Sequence, residues 1–245
     1  MITTIIGPNG CGKSTLLKTV TGQLKKRGGL VYISGSEIEG LKSMDIARNL
    51  SLVMTSGRTD MHMTCREVVE MGRYPYTGIM GRLSEEDLKI CDEAIRIADI
   101  GDIADMRFSA ISDGQRQRVQ LARAICQSPE ILVLDEPTTF LDIKYKLDIM
   151  SGIRELAAQK GMAVLMSLHE LDIAMRISDT VFAMGEGRIL KSGSPVEVFR
   201  EDFIRRLYGI DKDRDISFMG EMPWFDDNEI VGNSLDKNGI NKNDV

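Results

Sequence analysis

The sequence lacks the features expected of a disulfide-bonded, zinc-binding or membrane-spanning protein. Its four cysteines, in 245 residues, form no C-x-x-C pair. Neither a zinc site nor a disulfide framework is therefore predicted, and a reducing cytosol is the expected compartment. No apolar run approaches the roughly 18 residues that a transmembrane helix needs. We expect a chain that does not itself span a bilayer, although it can still dock onto a membrane protein.

The sequence also lacks an excess of basic charge. The formal net charge is −6, and residues 211–245 carry nine of the 37 acidic and four of the 31 basic side chains, so the rest of the chain is nearly neutral. Nucleic acid is disfavoured as a main partner, because a surface that binds it is normally strongly basic. Glycine, asparagine and charge dominate residues 211–245, which predicts a loosely ordered acidic tail that Trp224 docks on the body.

What the sequence does contain is an alternation of strand and helix patterns. The β-branched run Ile2–Ile6 is typical of a buried parallel strand. Further strands are predicted at 30–33, 50–54, 131–137, 162–170 and 179–187, and helices at 13–24 and 144–161. This alternation predicts an α/β fold with a mainly parallel sheet.

The segment from about residue 64 to 127 interrupts this alternation with helical patterns, and we expect it to form an inserted lobe. Ser84 followed by Asp87 resembles a helix capping box. In the helix after it, four residues fall on one face, as in an amphipathic helix: Leu88, Cys91, Ile95 and Ala98.

The stretch "GPNGCGKST" after the first strand fits the pattern G-x-x-x-x-G-K-[ST]. Glycine-rich backbone can turn successive N–H groups inward around a phosphate, and the helix that follows aims its positive end at the same place. Lys13 supplies a charge to the outer phosphates, and the Ser14 hydroxyl can ligate Mg²⁺. The predicted triphosphate-binding residues are Gly7, Pro8, Asn9, Gly10, Cys11, Gly12, Lys13, Ser14 and Thr15.

An acidic pair ends the predicted strand "ILVLDEP". Asp135 is placed to hold Mg²⁺ together with Ser14, and Glu136 can polarise an attacking water as general base. These residues predict that the chain binds a nucleoside triphosphate with Mg²⁺. They leave kinases, GTPases and ATPases open.

The stretch "ISDGQRQRVQLARAI" (111–125) distinguishes these classes, because it resembles the LSGGQ segment of ATP-binding-cassette (ABC) ATPases. Ser112, Gly114 and Gln115 match, while Asp113 stands where glycine is usual. "TTFLD" (138–142) is similar to the D-loop of that family, and His169 to its switch histidine. The resemblance covers residues 1 to about 208.

The resemblance implies a P-loop NTPase fold of the ABC ATPase type, with an ATPase domain over residues 1–210. It also implies two head-to-tail copies of the chain, in which Ser112, Gly114 and Gln115 bind the ATP held by the other copy. The implied role of His169 is to contact the γ-phosphate. For Arg116 and Arg118 we predict a solvated helix face, since a charge run is usually surface.

Two departures from the family pattern stand out. Thr55 occupies the place where the family has a glutamine that reaches Mg²⁺ and the attacking water, and its shorter hydroxyl can still bind a metal-bound water. Family members also carry an upstream β subdomain with an aromatic residue that stacks on adenine, whereas this chain begins six residues before Gly7. We therefore expect an incomplete N-terminal β subdomain and weak ATP binding.

A further stretch resembles one subgroup of the family. "GRYPY", with Tyr74, Pro75 and Tyr76, is similar to a segment of ATPases that serve importers of iron–siderophore, haem and cobalamin, and "SGSPVEVF" (192–199) fits the same subgroup. The resemblance implies permease subunits as partners, a substrate-binding protein as an indirect partner, and a peripheral location on the cytoplasmic side of the cell membrane. An ordinary packed aromatic turn is the alternative for Tyr74–Tyr76. For the whole chain, the alternatives are a soluble ABC ATPase of the iron–sulfur assembly type and a weakly hydrolysing nucleotide switch.

Overall fold

The computed structural model describes residues 1–54, 62–78 and 81–211. Its strands are β1 (Ile2–Ile6), β2 (Tyr32–Ile33), β3 (Ser36–Glu37), β4 (Leu50–Val53), β5 (Ile131–Asp135), β6 (Ala163–Ser167), β7 (Thr180–Gly185) and β8 (Arg188–Gly193). Its helices are α1 (Lys13–Val20), α2 (Ser43–Asn49), α3 (Cys65–Glu70), α4 (Glu85–Ile97), α5 (Asp113–Cys126), α6 (Ile143–Lys160), α7 (Leu171–Ile177), α8 (Pro195–Val198) and α9 (Glu201–Tyr208).

Six strands form the central sheet, in the order β4-β5-β6-β1-β7-β8. β1 lies between β6 and β7 and is parallel to both, which explains why its five residues are all buried. The predicted mainly parallel sheet is confirmed. Because parallel strands end at the same edge, the segments that follow β1, β5 and β6 meet there, and these segments carry the candidate catalytic residues.

One strand of the sheet was not predicted. β8 pairs antiparallel with β7 through a tight turn at Glu186 and Gly187, and most of its residues are exposed. An exposed edge strand lacks the buried β-branched run by which the other strands are recognisable in the sequence. The predicted strand at 162–170 is too long, because β6 ends at Ser167 and His169 lies in the loop after it.

Helices α3, α4 and α5 lie in the segment that the sequence analysis assigns to a helical lobe. The capping box of α4 is present: Ser84 accepts a hydrogen bond from the Asp87 N–H, and the Asp87 carboxylate accepts one from the Ser84 N–H. Of the four residues assigned to one face of this helix, Cys91, Ile95 and Ala98 are buried, whereas Leu88, at the start of the helix, is 42% exposed. Asp87 is buried in the lobe instead, where it forms an ion pair of 2.8 Å with Arg73.

Among the described residues, no helix combines the length and the apolar character that crossing a bilayer would require. Three sequence predictions lie outside the described residues: the role of Thr55, the loosely ordered tail beyond Asp211, and the docking of Trp224.

Candidate nucleotide site

The loop between β1 and α1 has a backbone that only glycine adopts easily. Gly10 and Gly12 have φ angles of 78° and 105°, and a Cβ on Gly7 would lie 2.0 Å from the carbonyl oxygen of Met184. Gly12 is the N-cap of α1 and offers no side chain to cap it. Within the described residues, the first N–H groups of α1 have no side-chain cap and point to where an external acceptor can bind, as in anion sites at helix starts.

Lys13 lies inside this loop and is only 5% exposed. Its Nζ donates hydrogen bonds to the carbonyl oxygens of Gly7 at 2.8 Å and Pro8 at 3.3 Å. These neutral acceptors balance the buried charge only in part, so an anionic oxygen at the same place would bind the ammonium group more strongly. Of the other predicted loop residues, Asn9, Gly10 and Thr15 are exposed and Ser14 is half-buried, so all can be reached by a ligand.

A contact between this loop and the last described helix was not predicted from the sequence. The hydroxyl of Tyr208, in α9, accepts a hydrogen bond of 3.1 Å from the N–H of Gly7. Burial raises the pKa of Tyr208 to about 12, and the bond from Gly7 offsets only part of that rise. The phenol is therefore neutral at physiological pH and serves as a fixed acceptor that holds the start of the loop.

The acidic pair at the end of β5 consists of a buried carboxylate, Asp135, and a half-buried one, Glu136. Asp135 is 3% exposed, and its Oδ1 accepts a hydrogen bond of 2.6 Å from the Ser167 hydroxyl on β6. Glu136 points its Oε1 to within 2.5 Å of Nε2 of His169. The structure thus brings together the two predicted catalytic residues, which are 33 positions apart in the sequence.

The chemistry of the predicted metal ligands suits Mg²⁺. Ser14 offers a hydroxyl and Asp135 a carboxylate, and Mg²⁺ in phosphate-transfer sites takes only one or two protein ligands beside water and phosphate oxygens. The parts of the chain that the structure describes contain no group of three or more His, Cys, Asp or Glu side chains arranged to hold a metal by themselves. Thr55 lies outside those parts.

The segment resembling LSGGQ lies at the start of α5. Ser112 is the N-cap, its hydroxyl accepts from the Gln115 N–H at 3.3 Å, and the Gln115 amide oxygen accepts from the Ser112 N–H at 2.9 Å. A Cβ on Gly114 would lie 2.8 Å from the Phe140 carbonyl oxygen, so glycine is needed for α5 to approach the D-loop segment. The two segments line a groove of about 480 Å³.

The charged residues of this helix depart from the predicted solvated face. Arg118 is buried, donates to the Asp99 carbonyl oxygen and lies 3.9 Å over the Tyr145 ring, so that prediction is wrong for Arg118. Arg116 is half-buried and forms an ion pair of 2.7 Å with Asp113, whose side chain is mostly exposed. The residue that replaces the usual glycine is therefore neutralised within its own helix.

The aromatic residues of "GRYPY" lie at the surface of the lobe. Tyr74 is 54% exposed. Tyr76 is less exposed, because its ring lies 4.0 Å from the Arg73 guanidinium and its hydroxyl donates to the Gln127 carbonyl oxygen at 3.1 Å. The buried Arg73 guanidinium supports this turn, while the Tyr74 side chain stays exposed at the surface. An ordinary packed aromatic turn would bury both rings.

Comparisons with known proteins give the site a context. The family model described as "ABC transporter" matches residues 1–139. The chain is 38% identical over 210 residues to the iron(3+)-hydroxamate import ATP-binding protein of Bacillus subtilis (strain 168), covering 86% of this chain and 78% of that protein. It is 37% identical over 208 residues to the ferric enterobactin transport ATP-binding protein of Escherichia coli (strain K12), and the match covers 85% of this chain and 77% of that protein.

A solved structure from an ABC transporter also resembles this chain in its fold. A bacterial ABC transporter cassette determined as a dimer matches with a TM-score of 0.71 and 27% identity, covering 79% of this chain and 85% of that chain. The predicted P-loop NTPase fold of the ABC ATPase type is confirmed by these matches.

Proposed function

The chain belongs to the ABC transporter family, and from that premise we propose that it is the ATP-hydrolysing subunit of an importer for iron–siderophore, haem or cobalamin-type chelates. The observation that carries the proposal is the Glu136–His169 contact of 2.5 Å at the sheet edge where the glycine loop also begins. A site that only bound nucleotide would need the loop but not this carboxylate–imidazole pair.

In the reaction, Lys13 exchanges its two carbonyl acceptors for phosphate oxygens of ATP, and the free N–H groups at the start of α1 bind the same phosphates. Glu136 orients the attacking water and takes its proton as general base. His169, which holds Oε1 of Glu136, contacts the γ-phosphate from the loop after β6. Positioning and charge supply most of the acceleration in phosphoryl transfer, so these roles need no covalent intermediate.

We infer that Ser14 and Asp135 hold Mg²⁺, with Thr55 as a further candidate ligand. Mg²⁺, when bound, supplies positive charge to the phosphate oxygens. The Ser167 hydroxyl donates to Oδ1 of Asp135, and no hydrogen bond from another described residue engages the second carboxylate oxygen, which the proposal assigns to the ion.

In the proposal, the start of α5 does not bind the ATP of its own copy. Ser112, Gly114 and Gln115 line the groove beside the D-loop segment, and their proposed ligand is the ATP held by a second, head-to-tail copy. The dimer of the related bacterial cassette supports this arrangement. ATP binding would close the two copies, and hydrolysis would open them.

The cargo and the remaining partners follow from the relatives and from the lobe surface. Both relatives described above are named for iron chelate transport. Tyr74 is exposed on the lobe that, in the proposal, contacts two permease subunits on the cytoplasmic side of the membrane. A substrate-binding protein would then be an indirect partner.

The experiment that tests the catalytic part is Glu136→Gln. The variant keeps the shape of the side chain but cannot accept a proton, so kcat is expected to fall by about 10²–10⁴ while ATP still binds. Glu155→Gln serves as the matched control, because Glu155 lies exposed on α6 away from the loop. Near-normal turnover of Glu136→Gln would remove Glu136 from the mechanism.

The importer is distinguished from a soluble ATPase by the permease. Phosphate release is expected to rise when the permease subunits are present, and the chain is expected to co-purify with them from membranes. Equal release with and without a permease, and no co-purification, would favour the iron–sulfur assembly type. Negligible release in both cases would favour a nucleotide switch.

A further inference from the structure

Gln117 is in a position that its sequence neighbourhood does not suggest. It lies in the first turns of α5, five positions after Ser112, among polar residues that look like a solvated helix face. In the structure its side-chain Nε2 instead donates a hydrogen bond of 3.0 Å to the backbone carbonyl oxygen of Glu136. Its amide oxygen is also buried and has no hydrogen-bond partner among the described residues.

The backbone of Glu136 needs such support, because its φ angle is 52°. A residue other than glycine in this left-handed region is strained and persists only where its surroundings hold it. The N–H of Glu136 donates to the Ser167 carbonyl oxygen at 3.2 Å and lies 3.0 Å from the Ser167 hydroxyl. β6 thus fixes the N-terminal side of the residue.

Among the described residues, two donors bind the carbonyl oxygen of Glu136. The Thr139 N–H donates to the Glu136 carbonyl oxygen at 3.2 Å, and Gln117 is the second donor. The Thr139 bond lies within the same tight turn and moves with it. Gln117 is the donor that ties this carbonyl to another element of the fold, namely α5.

We propose that Gln117 is a positioning residue for Glu136: its hydrogen bond to the Glu136 carbonyl holds the strained backbone that aims the carboxylate at the attacking water. The inference rests on the proposed function, since it takes Glu136 as the general base. Ser112 is the N-cap of the helix that carries Gln117, so the helix whose start is proposed to meet the ATP of the second copy also holds this base.

The test uses two substitutions that remove the donor and keep the length of the side chain, Gln117→Met and Gln117→Glu. Misplacing a catalytic group by a fraction of an ångström to one ångström is costly, so kcat is expected to fall about tenfold, with the KM for ATP changed less than about twofold. Gln120→Leu is the matched control, because Gln120 lies one turn further along α5 and its amide oxygen is likewise buried without a partner among the described residues. The control is expected to keep near-normal kcat.

A double substitution separates positioning from a general structural role. In the Glu136→Gln background the base is already absent, so Gln117→Met is expected to change the residual rate by less than about twofold, although the single variant lost about tenfold. A further tenfold loss in that background would show that Gln117 acts elsewhere and would overturn the inference. So would normal kcat in both single variants, or the failure of both to fold.

The two proposals fail in distinguishable ways. If Glu136→Gln itself turns over normally, Glu136 is not the base and the proposed mechanism fails. If Glu136→Gln is inactive while Gln117→Met and Gln117→Glu are fully active, the mechanism stands and only the role of Gln117 is lost.

Discussion

The two helix starts proposed to bind phosphate, those of α1 and α5, share the same components but differ in which of their polar groups are open to a ligand. Both combine a glycine with a hydroxyl side chain at a helix start. The start of α1 has glycine as its N-cap and Lys13 buried beside it. The start of α5 is closed by its own capping box, in which Ser112 and Gln115 satisfy each other's N–H groups. One start is open and cationic, and the other is capped and close to neutral.

This difference shows which half of the site a single chain can complete. At α1, the loop, the lysine and the acidic pair all come from one copy and meet at one sheet edge. At α5, the Ser112 hydroxyl accepts from Gln115 but keeps its own hydrogen to donate outward. Such a site adds a few directed bonds to a phosphate that is already held elsewhere. In the proposed dimer, the start of α1 would therefore determine the affinity for ATP, and the start of α5 would make the hydrolysis rate depend on the second copy.

The largest expected effect is a fall in the free energy of unfolding when the buried ion pair next to the end of α5 is broken. In Asp87→Ala, the buried Arg73 loses its carboxylate partner, and Arg73 also donates to the Cys126 carbonyl oxygen at the end of α5. Leaving a buried charge unpaired costs about 3–5 kcal/mol, so the free energy of unfolding in urea is expected to fall by about that amount. Asp87→Ala protein that remains folded is expected to bind ATP normally, because α1 packs on the sheet and does not belong to the lobe.

The matched control is Asp92→Ala, which breaks the exposed Arg66–Asp92 pair in the same lobe and is expected to cost at most about 1 kcal/mol. Acid provides a second check. Hydrogen bonds from Ser84, and after them Arg73, lower the pKa of Asp87, so the carboxylate stabilises the fold above its unfolded pKa of about 4. The difference between wild type and Asp87→Ala should shrink as the pH falls below about 4. A difference that is constant with pH would contradict this account.

The next prediction compares one substitution at each helix start. Lys13→Ala removes the buried cation, and because hydrogen bonds to charged groups contribute about 1.5–3 kcal/mol each, ATP is expected to bind about 100-fold more weakly. Ser112→Ala is expected to leave ATP binding to the single chain unchanged, and to raise the ATP concentration for half-maximal hydrolysis about tenfold. Titration with a fluorescent ATP analogue and a phosphate-release assay separate the two quantities. If Ser112→Ala weakens ATP binding as much as Lys13→Ala does, the proposed difference in role between the starts of α1 and α5 is wrong.

The features predictable from the sequence are those with a local cause. The β-branched run of β1 and the glycine pattern after it predicted the strand and the loop, and the capping box of α4 was recognisable because Ser84 and Asp87 are three residues apart. The edge strand β8 was missed because it is exposed and carries no strong hydrophobic pattern.

Burial of charge and distant contacts were not predictable in the same way. The rule that charged residues are solvated fails at Arg118, since its partners, Asp99 and Tyr145, come from other elements. The bonds of Gln117 to Glu136 and of Tyr208 to Gly7 join residues 19 and 201 positions apart. Only the folded sheet and lobe bring such pairs together, so a pattern of neighbouring residues contains no signal for them.

The smallest expected effect tests whether the open helix start is held from outside its own loop. Tyr208→Phe keeps the buried ring but removes the oxygen that accepts from the Gly7 N–H. One neutral hydrogen bond contributes about 0.5–1.5 kcal/mol, so the KM for ATP is expected to rise about threefold to tenfold, with kcat nearly unchanged. Tyr32→Phe is the control, because Tyr32 is exposed.

The pH dependence makes this last test specific. With a pKa raised to about 12, the Tyr208 phenol stays protonated throughout the range in which the enzyme can be assayed. The ratio of the KM values of Tyr208→Phe and wild type is therefore expected to stay constant up to about pH 10, where an unperturbed tyrosine, with a pKa of about 10, would already be half ionised. An unchanged KM would mean that the loop holds its shape without α9, so that the glycines and Lys13 alone determine the geometry of the open helix start.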